Sequence, residues 1–137
     1  MSDPAPLPQI YPAFRYRQAL KMMDWLCAAF GFSVRAKYLA GEDLAHGELA
    51  LGNSIVMLAQ ARDDEHARRV GDPGSGGGKS IYVAVADVET AFERAKSAGA
   101  TILQAPVDRD YGSREFSCAD PEGNVWSFGT YRPEGGG

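Results

Sequence analysis

Tyr111-Gly112-Ser113-Arg114-Glu115-Phe116-Ser117-Cys118-Ala119-Asp120-Pro121-Glu122-Gly123-Asn124-Val125-Trp126-Ser127-Phe128-Gly129-Thr130-Tyr131 reads as strand, tight turn, strand. Asp120-Pro121-Glu122-Gly123 carries the turn. The Asp side chain can bond the backbone two residues on, Pro presets φ at the second position, and Gly supplies φ > 0. Beyond the turn, Val125, Trp126 and Phe128 suit a pleated, half-buried surface. The hairpin predicts a sheet with one face on a core and the other open.

Working outward, the residues before the hairpin repeat an order found earlier in the chain. Ile81, Val83 and Val85 alternate with Ser80, Tyr82, Ala84 and Ala86, as in a strand. Asp87 is a good N-cap for a helix whose apolar stripe is Val88, Ala91, Phe92 and Ala95, ended by Gly99. A short strand, Thr101 to Leu103, precedes an irregular stretch around Pro106. In the first half, Ile10 to Tyr16 is β-like. Gln18 to Ala29 is helical, with Ala19, Met22, Met23, Leu26, Cys27 and Phe30 at helical spacings, and Gly31 stops it. Strands follow at 32–39, 45–51 and 54–59, joined by a turn at Gly41-Glu42-Asp43 and by the hairpin turn Gly52-Asn53. Each half therefore reads β-α-β-β-β, a repeat of roughly 69 residues. The fold class is α+β, with two tandem βαβββ modules. The expected division is a tail at 1–9, a domain at 10–131 and a tail at 132–137. The domain contains module one at 10–60, a charged then Gly-rich linker at 61–79, and module two at 80–131.

The totals set limits. A chain of 137 residues holds one domain with a real core. A net charge of −4 argues against a nucleic-acid partner, and no Lys/Arg run suggests a membrane surface. Met1 to Pro8 is polar and Pro-rich, without the apolar core of a signal peptide, and no apolar run is long enough to span a bilayer. Cys27 and Cys118 sit in apolar patterns and are expected as buried free thiols in a reducing cytoplasm.

Period-two parity assigns the faces. Pro12, Phe14, Tyr16, Leu49, Leu51, Val56 and Leu58 belong to the first core, and Ile81, Val83, Val85, Phe116, Cys118, Trp126 and Phe128 to the second. The open faces then collect Tyr11, Arg15, His46, Glu48, Met57, Tyr82, Glu115, Ser117, Ser127 and Tyr131. Aromatic and thioether area with a few polar groups is how ligand pockets are built. Arg15 could pair with Glu48 or Glu115. Arg114 could pin its loop through Asp108 or Asp110. His46-x-Glu48 places both side chains on one face. His66, the other histidine, falls on a solvated, charged segment.

Several of these motifs, in order, resemble the glyoxalase / bleomycin-resistance / extradiol-dioxygenase superfamily, the vicinal oxygen chelate fold. They are Phe30-Gly31-Phe32 after an amphipathic helix, His46-Gly47-Glu48-Leu49-Ala50-Leu51-Gly52-Asn53, Val85-Ala86-Asp87-Val88-Glu89-Thr90-Ala91, Tyr111-Gly112-Ser113-Arg114-Glu115, and Asp120-Pro121-Glu122-Gly123-Asn124-Val125-Trp126. The likeness covers residues 10–131. It implies curved half-barrel sheets with helices on the convex face, a cavity where the concave faces meet, and frequently a homodimer. Metal-using members place His, Gln or Glu on the first and last strands of each module. The matching positions here are Tyr11, Met57, Ser80 and Ser127, and a slip of one residue gives Val56 and Trp126. None is a good ligand for a divalent metal. The expectation is therefore a metal-free, cofactor-free cytoplasmic homodimer that binds a small aromatic or cationic molecule between its sheets. The alternatives are a metal-dependent lyase or dioxygenase, and a metal-independent isomerase or lyase using Glu48, His46 or Glu115 as base. A regulatory dimer module has no positive support in the residues.

Overall fold

Asp120 shows how local chemistry builds this protein. In the computed structural model, which describes residues 7–74 and 77–133, its carboxylate is buried and bonded on both oxygens. Oδ1 accepts the backbone N–H groups of Glu122 at 3.0 Å and Asn124 at 3.1 Å. Oδ2 accepts Asn124 Nδ2 at 3.2 Å and Trp126 Nε1 at 3.1 Å. The backbone closes the same turn, with Gly123 N–H donating to Asp120 O at 2.9 Å. Gly123 has φ of 93°, a left-handed value that favours glycine.

The chain falls into two compact units. One is the chain up to Cys27 together with Gly31–Val70. The other is Ala28–Phe30 together with the chain from Gly71 onward.

The first unit contains β1 (Ala13–Tyr16), α1 (Ala19–Phe30, its last turn excepted), β2 (Ser33–Ala40), β3 (Asp43–Leu51), β4 (Ser54–Gln60) and the short α2 (Glu65–Val70). The sheet order is β1-β4-β3-β2, with β1 parallel to β4 and the other pairs antiparallel. Helix α1 has no side-chain cap of its own. The Gln60 side chain, at the end of β4, accepts the Ala19 N–H at 3.1 Å and does that work from a distance. Gly31 ends the helix in the left-handed conformation, φ 85°, with its N–H on Cys27 O. Met22, Met23 and Leu26 of α1 are buried, as are Tyr16, Leu49, Val56 and Leu58. Met23 packs so closely on β3 that a Cβ at Gly47 would come within 3.0 Å of its sulfur.

The second unit contains β5 (Ile81–Ala84), α3 (Val88–Ser97), β6 (Thr101–Asp108), β7 (Arg114–Ala119) and β8 (Val125–Gly129). Its order, β5-β8-β7-β6, repeats the first, again with one parallel pair, β5 and β8. Asp87 caps α3 by accepting Thr90 N–H at 3.1 Å and Thr90 Oγ1 at 2.8 Å. Its core is aromatic. Phe116 stacks on Phe128 at 4.9 Å, Phe92 meets Phe116 edge-on at 5.4 Å, and Phe30 lies 4.9 Å from both Trp126 and Phe128.

The α+β class with two tandem βαβββ modules is therefore observed. Several expectations need correction. Strand β6 runs on through Pro106 to Asp108 and is not a short strand. It is an edge strand with two register shifts, where a proline removes no essential ladder bond. Strand β5 is shorter than 80–86 and Ser80 precedes it. Strand β1 begins at Ala13, after Tyr11. Leu44, absent from the expected core, is buried, because the register against β2 slips between Tyr38 and Leu39 and reverses the parity of β3 there. Leu51, Ile81, Val83 and Val85 are only half-buried, and so is Cys27. The tail expectations fall partly on 1–6 and 134–137, and the linker partly on 75–76, all outside the described residues.

Candidate functional site

The open face of the second sheet is two rungs deep at its centre. One rung is Tyr82, Ser127 and Ser117; the next is Ala84, Gly129 and Glu115. The Ser117 and Ser127 hydroxyls bond each other at 2.8 Å, one donating and the other accepting. Gly129 matters for space. A Cβ there would lie 2.6 Å from Glu115 Cγ and 2.7 Å from Tyr82 Oη, so the bare backbone lets these two side chains cross the strand together.

Glu115 is the hub of this face, with its side chain only 15% exposed. Tyr111 Oη donates to its Oε1 at 2.7 Å, and Arg109 Nε lies 3.5 Å from the same oxygen. Tyr82 Oη donates to Tyr131 O at 2.7 Å. Tyr131 N–H donates to the buried Ser113 Oγ at 3.1 Å, and its ring meets Tyr111 edge-on at 6.1 Å. The Tyr82 phenol is pushed above its usual range by burial and by the Glu115 charge. The Tyr111 phenol is pushed up chiefly by its bond to Glu115. Arg114 points elsewhere. It pairs with Asp108 at 3.0 Å, as the sequence suggested, and also with Glu89 of α3.

The open face of the first sheet holds a second cluster. His46 Nε2 lies 2.8 Å from Glu48 Oε2, and Arg35 donates to Glu48 Oε1 at 2.9 Å. Tyr38, opposite His46 on β2, lies against the imidazole at 6.2 Å. The His46 bond, with the Arg35 charge, holds the Glu48 carboxyl below its usual range. Met57 is opposite Glu48 on β4. Arg15 does not meet Glu48 or Glu115. It forms a two-point pair with Asp64, at 3.3 and 3.2 Å, and Asp64 also accepts the Ala67 N–H at 2.9 Å. Sequence reasoning missed Asp64 because it lay in what read as linker. Tyr11 donates to Pro8 O at 2.6 Å. Arg109 and Tyr111 were also missed; both lie in a loop, where strand parity says nothing. The signal available was their spacing from Glu115 across a Gly-containing turn.

The sequence profile of the Glyoxalase/Bleomycin resistance protein/Dioxygenase superfamily matches residues 11–128. The chain belongs to this superfamily. Among its relatives is uncharacterized protein Rv0887c of Mycobacterium tuberculosis, 32% identical over 126 residues, which cover 89% of this chain and 74% of that one. Among solved structures, TioX from Micromonospora sp. ML1 is 28% identical with a TM-score of 0.70, covering 89% of this chain and 97% of that one. A family enzyme from Burkholderia phytofirmans PsJN, 22% identical, has the same fold at a TM-score of 0.70, covering 87% and 94%.

Metal-using members of the superfamily raise the question of a metal here. The four matching positions do not fit one. Tyr11 and Ser80 lie before their strands, Met57 offers a thioether, and the Ser127 hydroxyl is bonded to Ser117. Among the described residues no group of three or more His, Cys, Asp or Glu side chains could hold a metal ion. None of the described helices is long and apolar enough to cross a membrane.

Proposed function

We propose that this superfamily member binds a small aromatic cation on the open face of its second sheet, without a metal. The observation that carries the reading is the gathering of Tyr82, Tyr111 and Tyr131 around the sheltered carboxylate of Glu115. Aromatic faces attract cations through their quadrupole, and a sheltered carboxylate adds a charge partner that is poorly screened by water. The negative net charge of the chain favours approach of a cation. The reading includes Tyr11, Arg15, His46, Glu48 and Met57 as part of the ligand surface of the first unit, and Ser117 and Ser127 as the floor of the second. It also includes a cytoplasmic homodimer built from modules 10–60 and 80–131, which light scattering after size exclusion would test.

The test uses two dyes of opposite charge followed by fluorescence, ethidium and anilinonaphthalene sulfonate. Ethidium should bind saturably and the anion should not. Glu115→Gln should weaken ethidium roughly fivefold, about 1 kcal/mol. Equal binding of the two dyes, or no effect of Glu115→Gln, would sink the proposal.

A second reading rests on the His46–Glu48 pair. With Nε2–H donating to Glu48, Nδ1 is left as a base, and the pair could move a proton between carbons of a carbonyl substrate. Deuterium wash-in from solvent into such a compound, lost in His46→Gln, is the result it requires.

A further inference from the structure

Arg109 and Tyr111 reach Glu115 from one turn, and both use the same oxygen, Oε1. The other oxygen has no hydrogen-bond partner among the described residues. The turn is closed by its own backbone. Arg109 N–H donates to Ser113 O at 2.7 Å, and Gly112 N–H to Arg109 O at 3.1 Å. Its base is fixed outside the site, where Arg114 holds Asp108 and Glu89. Its tip is held by Glu115 and by the edge-on contact of Tyr111 with Tyr131, with Arg109 42% exposed and Tyr111 59% exposed. The Arg109 contact, at 3.5 Å, is longer than a good hydrogen bond. A guanidinium held this loosely beside a sheltered carboxylate competes for the charge that a cationic ligand would use.

We infer that Arg109 is a resident cation, and that ligand binding is an exchange in which the ligand's charge takes Glu115 and the Arg109 guanidinium swings out to solvent while Tyr111 keeps its bond to Glu115. The inference rests on the proposed reading of Glu115 as the cation's partner. It adds a specificity device. A bare small cation gains only what Arg109 already supplies, so an occupant must bring aromatic area for the tyrosines as well as charge.

The experiment compares wild type, Arg109→Gln and Arg109→Lys by ethidium titration, and follows trypsin cleavage after Arg109 in wild type with and without the dye. Arg109→Gln should bind ethidium roughly threefold more tightly, the scale of a half-exposed ion pair removed from competition. Arg109→Lys should stay near wild type. Saturating ethidium should speed cleavage at Arg109. If wild type binds but Arg109→Gln binds equally or more weakly, or if the dye protects Arg109, the exchange is wrong while Glu115 recognition stands. If neither protein binds the dye, both readings fall together.

Discussion

The indole N–H of Trp126 donates to the carboxylate of Asp120 at 3.1 Å, inside the turn that joins β7 to β8. The bond links the β7–β8 turn to the largest core side chain of the second unit. Trp126 is fully buried, so its polar edge needs a partner there, and Asp120 serves both the indole and the turn. Trp126→Phe keeps the aromatic body and leaves Asp120 one donor short, at a cost of about 1–2 kcal/mol. Asp120→Ala removes every side-chain bond in the cluster and should cost about 3 kcal/mol or more. Denaturant unfolding would give both values. An Asp120→Ala protein as stable as wild type would show that the backbone alone makes the turn.

Gly129 gives a way to damage the proposed site more than the fold. Its Cβ would meet Glu115 and Tyr82, not the core face. Gly129→Ala should lower stability by about 1–3 kcal/mol, as overpacking does, and should reduce ethidium binding more than Glu115→Gln does. A variant with intact dye binding would place the ligand elsewhere.

Asp64 predicts a pH signature. Its bonds to Arg15 and then to the Ala67 N–H hold its carboxyl at about 2, against an ordinary 3.8. The folded protein binds this proton more weakly than the unfolded chain, so the stabilisation is complete above the ordinary value. It is lost as pH falls from 3.8 towards about 2. Asp64→Asn should therefore be less stable than wild type at neutral pH, and the two should converge in acid. Parallel stability curves across that range would rule out the pairing.

Cys118 is fully buried on β7, and burial pushes its thiol up to about 12. It should be silent to Ellman's reagent at pH 8 and react only on unfolding. Cys27, half-buried on α1, should account for all native labelling, and Cys118→Ser should leave that signal unchanged.

Strand parity and turn chemistry made much of this fold legible. Phe116, Cys118, Trp126 and Phe128 face the core as the alternation implied, and Asp87, Gly31 and Gly123 do the local work their residue types suggest. Parity failed where the backbone is irregular. The slip in β3 hid Leu44, and the two register shifts in β6 let a strand pass through Pro106. The candidate site was legible only in part. Glu115, Tyr82 and His46 with Glu48 were read from the strands that carry them. Arg109, Tyr111 and Asp64 come from segments without period, and the partner of Arg15 depended on where such a segment folds back.

The two parallel pairs bear on the order of assembly. Hairpins β3–β4 and β7–β8 join strands that are neighbours in the chain, across Gly52-Asn53 and across the Asp120 turn. Pairing Ala13 with Met57, or Ile81 with Trp126, must wait until everything between them is gathered in. Loop closure is spent before those contacts give anything back, so the hairpins should form early and β1 and β5 should dock late. On the ribosome, β1 is made before the other described strands and should be among the last of them to find its place. Pulsed hydrogen exchange should show this sequence of events, and early protection in β1, ahead of Glu48 and Met57, would reverse it.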